Sequence, residues 1–227
     1  MKLVLTNDDG FDAPGLAALH SAAEGLGRCI VIAPKSALSG CSHQVTTEKA
    51  IEVTKLSGTR YVVDGTPADC VRVAFFRVAP DAEVVLSGIN AGGNLGTDVF
   101  HSGTVAAARE AVLHGKRAIA ISHYRKRALL FDWEQASGWL RPLIIDLLAR
   151  PSRGVFWNIN LPHLESGSAI PEIVFCELDT APLPVKFRNE NGMLFYSGNY
   201  HERQRCPGKD IDVCFSGKIA VTELRLY

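Results

Sequence analysis

The feature that most limits what this chain can fold into is its first sixteen residues, MKLVLTNDDGFDAPGL. Leu3, Val4 and Leu5 form an apolar run short enough for a buried strand, Asn7, Asp8, Asp9 and Gly10 break it, and Pro14 opens a helix. Two neighbouring carboxylates therefore stand at the carboxyl end of a strand. In open parallel α/β sheets ligands bind along that edge, which puts Asp8 and Asp9 at the mouth of a site. Adjacent acids repel, and a hard divalent cation relieves the repulsion. A plainer arrangement, one Asp capping the helix and the other solvated, fits this stretch equally well.

From Pro14, the residues Leu16, Leu19, Ala23 and Leu26 keep helical spacing up to Gly27, and Cys29 to Ala33 is a second apolar strand. Strand, helix and strand with short joints make a βαβ unit, so the two strands are expected to be parallel. The loop PKSALSGCSHQ (34–44) then leaves the same edge. Ser39 is its marked residue, because Gly40 beside it permits close backbone approach, although a loop serine is more ordinarily a solvated hydroxyl. Residues 50–63 carry two β-rich runs around Ser57, Gly58 and Thr59, a hairpin that either projects from the sheet or extends it. Thr66, Pro67 and Asp69 have the form of a helix start with a capping box, a structural task for both polar residues.

A further apolar strand at Glu83 to Leu86 opens into SGINAGGNLGTDVFHSGT (87–104), and VAAAREAVLHG follows as a helix ending at Gly115. Ser102, Gly103 and Thr104 stand at that helix start, where free amides, hydroxyls and the helix dipole favour a phosphate. Ser and Thr are ordinary caps, so the long glycine-rich loop ahead of them is what favours the phosphate reading.

Arg117 to Ser122 and Val155 to Ile159 read as strands. Residues 132–150 read as an amphipathic helix whose Leu140, Leu143, Ile144, Leu147 and Leu148 pack on the sheet. Trp133 and Trp139 are read as core or interface rather than as a stacking platform for a base. Later strands are expected at 173–175, 185–187, 193–196 and 219–226, with a hairpin turn at Asn189 to Gly192. The chain is thus read as an α/β core over 1–160 carrying the site, and a β-rich part over 161–227 that completes a single domain. Basic and acidic residues balance at 24 each, which excludes an overall field toward nucleic acid or a membrane surface. No apolar run reaches the roughly 20 residues a bilayer span needs, no secretory signal is seen, and the six cysteines form no C-x-x-C pair. A soluble cytoplasmic protein with reduced thiols is expected.

Asp8, Asp9, Ser39 and the loop bearing Asn90 and Asn94 all follow strands, so one sheet edge can gather them. Their carboxylate, hydroxyl and amide oxygens are hard donors, suited to magnesium or manganese. A metal there, beside a phosphate seat at Ser102 to Thr104, describes phosphoester hydrolysis.

The same residues resemble the SurE-type survival proteins, metal-dependent 5′/3′-nucleotidases. NDDG (7–10) with APGL (13–16), AP followed by SG at Ser39 and Gly40, GTPADCV (65–71), SGINAGGNLG (87–96), and DV with SGTVAAA (102–108) carry the resemblance. It implies a doubly wound, Rossmann-like, mostly parallel sheet with a β-hairpin extension and a smaller β-rich carboxyl-terminal part. It implies one divalent metal ion per subunit, Mg2+ or Mn2+, on Asp8, Asp9, Ser39 and Asn90. Phosphate is then received by Asn94, Ser102, Gly103 and Thr104, and Asp8, Asp9 and Asn94 are catalytic. The implied substrates are nucleoside monophosphates, with polyphosphate for some members.

Departures from the family are His101, where a tyrosine is usual, and His43 in the serine loop. Either imidazole can donate a proton to a leaving alcohol, though a polar-loop histidine is more often just partly exposed. The chain stops at Tyr227, where many relatives continue into a tail exchanged between subunits, so a homodimer through the hairpin extension is expected and a tetramer is in doubt. Paired acids after a first strand also occur in receiver-type modules, but the acceptor Asp such a module needs is missing after Leu86, and a non-catalytic nucleotide sensor of the same fold is the alternative function. Phe100, Tyr124 and Tyr196 are the aromatic candidates for stacking on a base.

Overall fold

In the computed structural model, which describes residues 1–126, 129–151, 153–183 and 185–226, the first strand, β1 (Lys2–Thr6), lies near the middle of a nine-stranded sheet. Its neighbours are β2 (Arg28–Pro34) on one side and β5 (Val84–Asn90) on the other, both parallel to it. Beyond β2 come β4 (Arg60–Val63), also parallel, and β3 (Val53–Ser57), antiparallel at the edge. Beyond β5 the parallel order continues through β6 (Arg117–His123) and β7 (Val155–Leu161). Then β11 (Ile219–Arg225) runs antiparallel to β7, and β8 (Ile173–Phe175) closes the edge. A separate hairpin pairs β9 (Phe187–Glu190) with β10 (Met193–Tyr196). The 50–63 hairpin therefore extends the sheet.

Both faces of the sheet are covered. Leu3, Leu5, Val31, Leu86, Ile119, Ile121 and Ile159 face the layer of α1 (Pro14–Ala23) and α4 (Trp133–Ala149). Val4, Ile30, Ile32, Val85, Ala118, Ala120 and Phe156 face the layer of α2 (Pro67–Val73) and α3 (Gly103–Leu113). Burial on both faces is why these strands read as unbroken apolar runs rather than as alternating patterns. Trp139 is buried in the first layer and Trp133 packs against it.

Local chemistry sets the helix ends. The capping box at α2 is formed: Thr66 Oγ1 accepts from Asp69 N at 3.1 Å and Asp69 Oδ2 accepts from Thr66 N at 3.0 Å. Asp69 also accepts from the Thr46 amide and hydroxyl, so the loop after β2 is tied to the same cap. Helix α1 ends at Ala23, three residues short of the expected Leu26, because Gly25 turns the chain at φ +76°. The strand expected at 185–187 runs instead over Phe187–Glu190. Pairing of Phe187 with Tyr196 and of Glu190 with Met193 across the Asn191–Gly192 turn fixes that register. The last helix, α5 (Asp210–Phe215), precedes β11. Tyr227, on which the assembly expectation turned, lies outside the described residues.

Winding runs outward from β1 through β2 to β4, then returns to β5 and proceeds the other way. The reversal between β1 and β5 opens a crevice at their carboxyl ends, bordered by residues 7–10 and 90–94. None of the described helices is long and apolar enough to cross a membrane. All six cysteines are free thiols.

Candidate active site

Asp8 is 5% exposed, and its Oδ1 accepts the Thr104 hydroxyl at 2.5 Å. Burial pushes the Asp8 carboxyl up to about 6; the Thr104 hydroxyl and amide pull it down, and the charge of Asp9 adds to the rise. Asp9 is half-buried and is also raised by burial, against a bond from the Ala91 amide to its Oδ2 at 2.9 Å. The strand end thus holds two carboxylates that both resist ionisation side by side.

Helix α3 begins against Asp8. A Cβ at Gly103 would lie 2.9 Å from Asp8 Cβ and 2.7 Å from Cys41 Sγ, so only glycine lets the helix start come this close. Ser102 is the N-cap, its Oγ accepting from Val105 N at 3.0 Å. With the Val105 amide spent on the cap and the Thr104 amide on the Asp8 carboxylate, the Ser102 hydroxyl hydrogen and the Gly103 amide are the donors this helix start offers an anion. The Thr104 hydroxyl, expected on phosphate, is here bonded to the carboxylate.

Ser39 lies exposed on its loop, and the tie to the crevice runs through the neighbouring backbone, Leu38 N donating to Asp8 O at 2.8 Å. Asn90 donates its Nδ2 to Gly92 O at 2.8 Å, which leaves Oδ1 as the group it offers a cation. Asn94 is fixed from all sides. Its amide N donates to Asn160 Oδ1 at 2.8 Å, its Nδ2 donates to Ser122 Oγ at 2.7 Å, and its carbonyl accepts from Asn158 and Asn160, both at 3.0 Å. A second Nδ2 hydrogen is left for a ligand. Sequence reasoning missed Ser122, Asn158 and Asn160. The signal was there in the pair of asparagines two apart in β7, all seven of whose residues are buried.

His43 Nε2 donates to Glu110 Oε2 at 2.7 Å, and Arg72 and His114 bond the other oxygen at 3.2 and 3.0 Å. His43 thereby clamps the serine loop to α3, a structural task. His101 is exposed, and its carbonyl accepts from Ser42 N at 3.0 Å. Of the three aromatic candidates, Tyr124 borders a cavity beside the glycine loop, Phe100 lines a different cavity, and Tyr196 lies exposed on β10.

Among the described residues no group of three or more His, Cys, Asp or Glu stands together as a metal cluster. A cation at this edge would therefore rest on the two carboxylates and on neutral oxygens. That donor set fits a hard divalent ion, whose charge would offset the cost of the crowded acids.

Residues 3–181 match the family model described as survival protein SurE. The chain belongs to the SurE family. A crystal structure of the SurE protein from Aquifex aeolicus superposes with a TM-score of 0.87 at 30% identity, covering 100% of this chain and 94% of that one. A Nostoc sp. protein provisionally named as a 5′-nucleotidase is 52% identical over 227 residues, the full length of both. The protein of Paramagnetospirillum magneticum named 5′-nucleotidase SurE is 35% identical, over 99% of this chain and 89% of its own. The α/β architecture with its mostly parallel sheet is thus the SurE architecture.

Proposed function

We propose that this chain is a nucleotidase, a phosphomonoesterase that removes phosphate from nucleoside 5′- and 3′-monophosphates with one magnesium or manganese ion per subunit. The observation that carries the reading is the Asp8 carboxylate held against the amino terminus of α3, which sets an acid pair suited to a cation beside amides suited to a phosphate. Relatives named as 5′-nucleotidases support it.

Asp8, Asp9, Ser39 and Asn90 would hold the cation. When bound, it offsets the acid charges, draws density from the phosphoryl oxygens and acidifies a water. The Gly103 amide and the helix dipole stabilise the phosphate oxygens, with the Ser102 hydroxyl and the second Asn94 Nδ2 hydrogen as further donors, while Thr104 holds the Asp8 carboxylate beside them. Asp8, Asp9 and Asn94 are the proposed catalytic residues. Short polyphosphate presents the same terminal phosphoryl group and is a further candidate substrate. Nucleic acid and membrane are not among the proposed partners. The proposed working form is a cytoplasmic homodimer, which the free thiols and the exposed edge strand β3 of the extending hairpin support.

Phosphate release from a panel of 5′- and 3′-nucleoside monophosphates and short polyphosphate, with manganese or magnesium and with chelator, tests the reading. Chelator-sensitive release from nucleotides, lost in Asp8→Asn, is expected. A folded protein that binds nucleotide yet releases no phosphate with either metal would instead be a sensor.

A further inference from the structure

Beside the crevice lies a cavity of about 590 Å³, within the range of small-molecule sites. Its floor is the loop Ala91–Gly93, and Tyr124, Arg125, Tyr200 and His201 form its wall and rim. The same loop touches the acid pair, through the Ala91 amide bonded to Asp9 Oδ2 at 2.9 Å. A molecule in this cavity therefore sits one loop's width from the proposed phosphate seat.

The wall is aromatic and held in place. The Tyr124 ring stacks on Phe215, with centroids 4.5 Å apart and planes at 26°, and its hydroxyl pairs with His201 Nδ1 at 2.6 Å. Burial pushes the Tyr124 phenol above its ordinary range, and its bond to Nδ1 leaves Nε2 as the ring nitrogen that this tyrosine does not engage. Tyr200 has its hydroxyl committed to Asp98 Oδ2 at 2.7 Å. The Arg203 guanidinium, itself paired with Asp98 at 2.6 Å, backs the Tyr200 ring at 5.0 Å. His201 stands edge-on to both tyrosines, with centroids 5.6 and 5.9 Å away. The result is a rigid set of flat apolar surfaces with one imidazole nitrogen not engaged by Tyr124 and the exposed Arg125 at the rim. A planar, polar-edged heterocycle suits such a wall, and a small sugar phosphate gains little from it.

We propose that this cavity receives the nucleoside half of the substrate, and that His201, oriented by Tyr124, sets the preference for a base-bearing substrate over a bare sugar phosphate. The proposal rests on the nucleotidase reading and adds the specificity wall to it. Sequence alone reached only Tyr124, because Tyr200 and His201 lie on a short 3₁₀ turn, Tyr200–Glu202, more than seventy residues downstream.

Two measurements test it. Adenosine titrated into the full-length protein in chelator, followed by NMR, is expected to bind the wild type and to bind His201→Ala about tenfold more weakly, the loss typical of one stacked base partner. His201 is exposed on a turn, so the variant is expected to fold. In the metal-loaded enzyme, the ratio of kcat/KM for adenosine 5′-monophosphate to that for ribose 5-phosphate is expected to fall about tenfold in the same variant, with Tyr124→Phe shifting it in the same direction. Adenosine affinity equal in wild type and His201→Ala, or no adenosine binding by the wild type, would overturn the proposal. A wild type that binds adenosine but hydrolyses neither phosphate would overturn the nucleotidase reading and leave the cavity assignment standing.

Discussion

Thr104 Oγ1 donates to Asp8 Oδ1 across 2.5 Å, joining the first turn of α3 to the end of β1 over 96 residues of sequence. The helix start proposed to receive phosphate and the carboxylate proposed to hold a cation are therefore one mechanical unit. Since the bond favours the charged carboxylate against the burial that opposes it, Thr104 acts on the cation end of the site as well as on the anion end.

Thr104→Val should weaken manganese binding. The change keeps volume but removes a donor to a buried carboxylate, a bond worth about 1.5–3 kcal/mol, so a loss of roughly tenfold or more in affinity is expected. Thr104→Ser should recover most of it. Manganese titration followed by electron paramagnetic resonance reads this directly, and wild-type affinity in the valine variant would count against the coupling.

Asp8→Asn should abolish hydrolysis and stabilise the metal-free protein. Asp8 titrates at about 6 in the folded chain against an ordinary 3.8, so above pH 6 the native state carries a charge that burial disfavours. That charge costs up to about 3 kcal/mol near neutral pH. The sign follows: the unfolded chain releases the Asp8 proton at lower pH than the folded one, and native stability falls as pH rises from about 4 to 6. Urea denaturation in chelator at neutral pH should show the variant more stable by roughly 1–3 kcal/mol, with the difference vanishing toward pH 4. A less stable variant would mean that the acid pair is not under strain.

How much of this site the sequence disclosed follows from the range of the interactions. Asp8 and Asp9 after an apolar run, the Thr66 and Asp69 capping box and the Ser102 cap are legible because each signal lies within a few residues of its partner. The support around Asn94 was not, since Ser122, Asn158 and Asn160 reach it from strands 28, 64 and 66 residues away. Nor was the latch of Tyr200 and Arg203 on Asp98, which folds the carboxyl-terminal segment over the glycine loop from 102 and 105 residues away. Strand β9 was misplaced by two residues because a short exposed hairpin has no buried face to fix its register.

Asn160→Ala should loosen Asn94 without touching the acids. The substitution leaves the Asn94 amide with no acceptor and removes one donor from its carbonyl, both in buried surroundings. A stability loss of about 1–3 kcal/mol is expected, together with a lower kcat/KM. Denaturation and phosphate release measured on one preparation would check both, and full activity at reduced stability would restrict Asn160 to a packing role.

Acid should destabilise the fold through His123. This residue ends β6 and is 2% exposed, with its Nδ1 bonded to the Tyr124 carbonyl at 3.0 Å and its ring packed on Phe131, Trp133 and His163. Burial pushes it down to about 4 from an ordinary 6.5; the carbonyl bond opposes the shift and nearby His163 adds to it. Above pH 6.5 the ring is neutral in folded and unfolded chains alike and contributes no slope. As pH falls from 6.5 toward 4, the unfolded chain binds a proton that the folded one refuses, and stability declines by up to about 3 kcal/mol. His123→Leu removes the titration and replaces the ring with an apolar side chain. Asp8 contributes the opposite slope to both proteins, so the reading is their difference: relative to the wild type, the variant should gain unfolding free energy as pH falls from 6.5 to 4, and parallel curves would show that His123 is not what acid attacks.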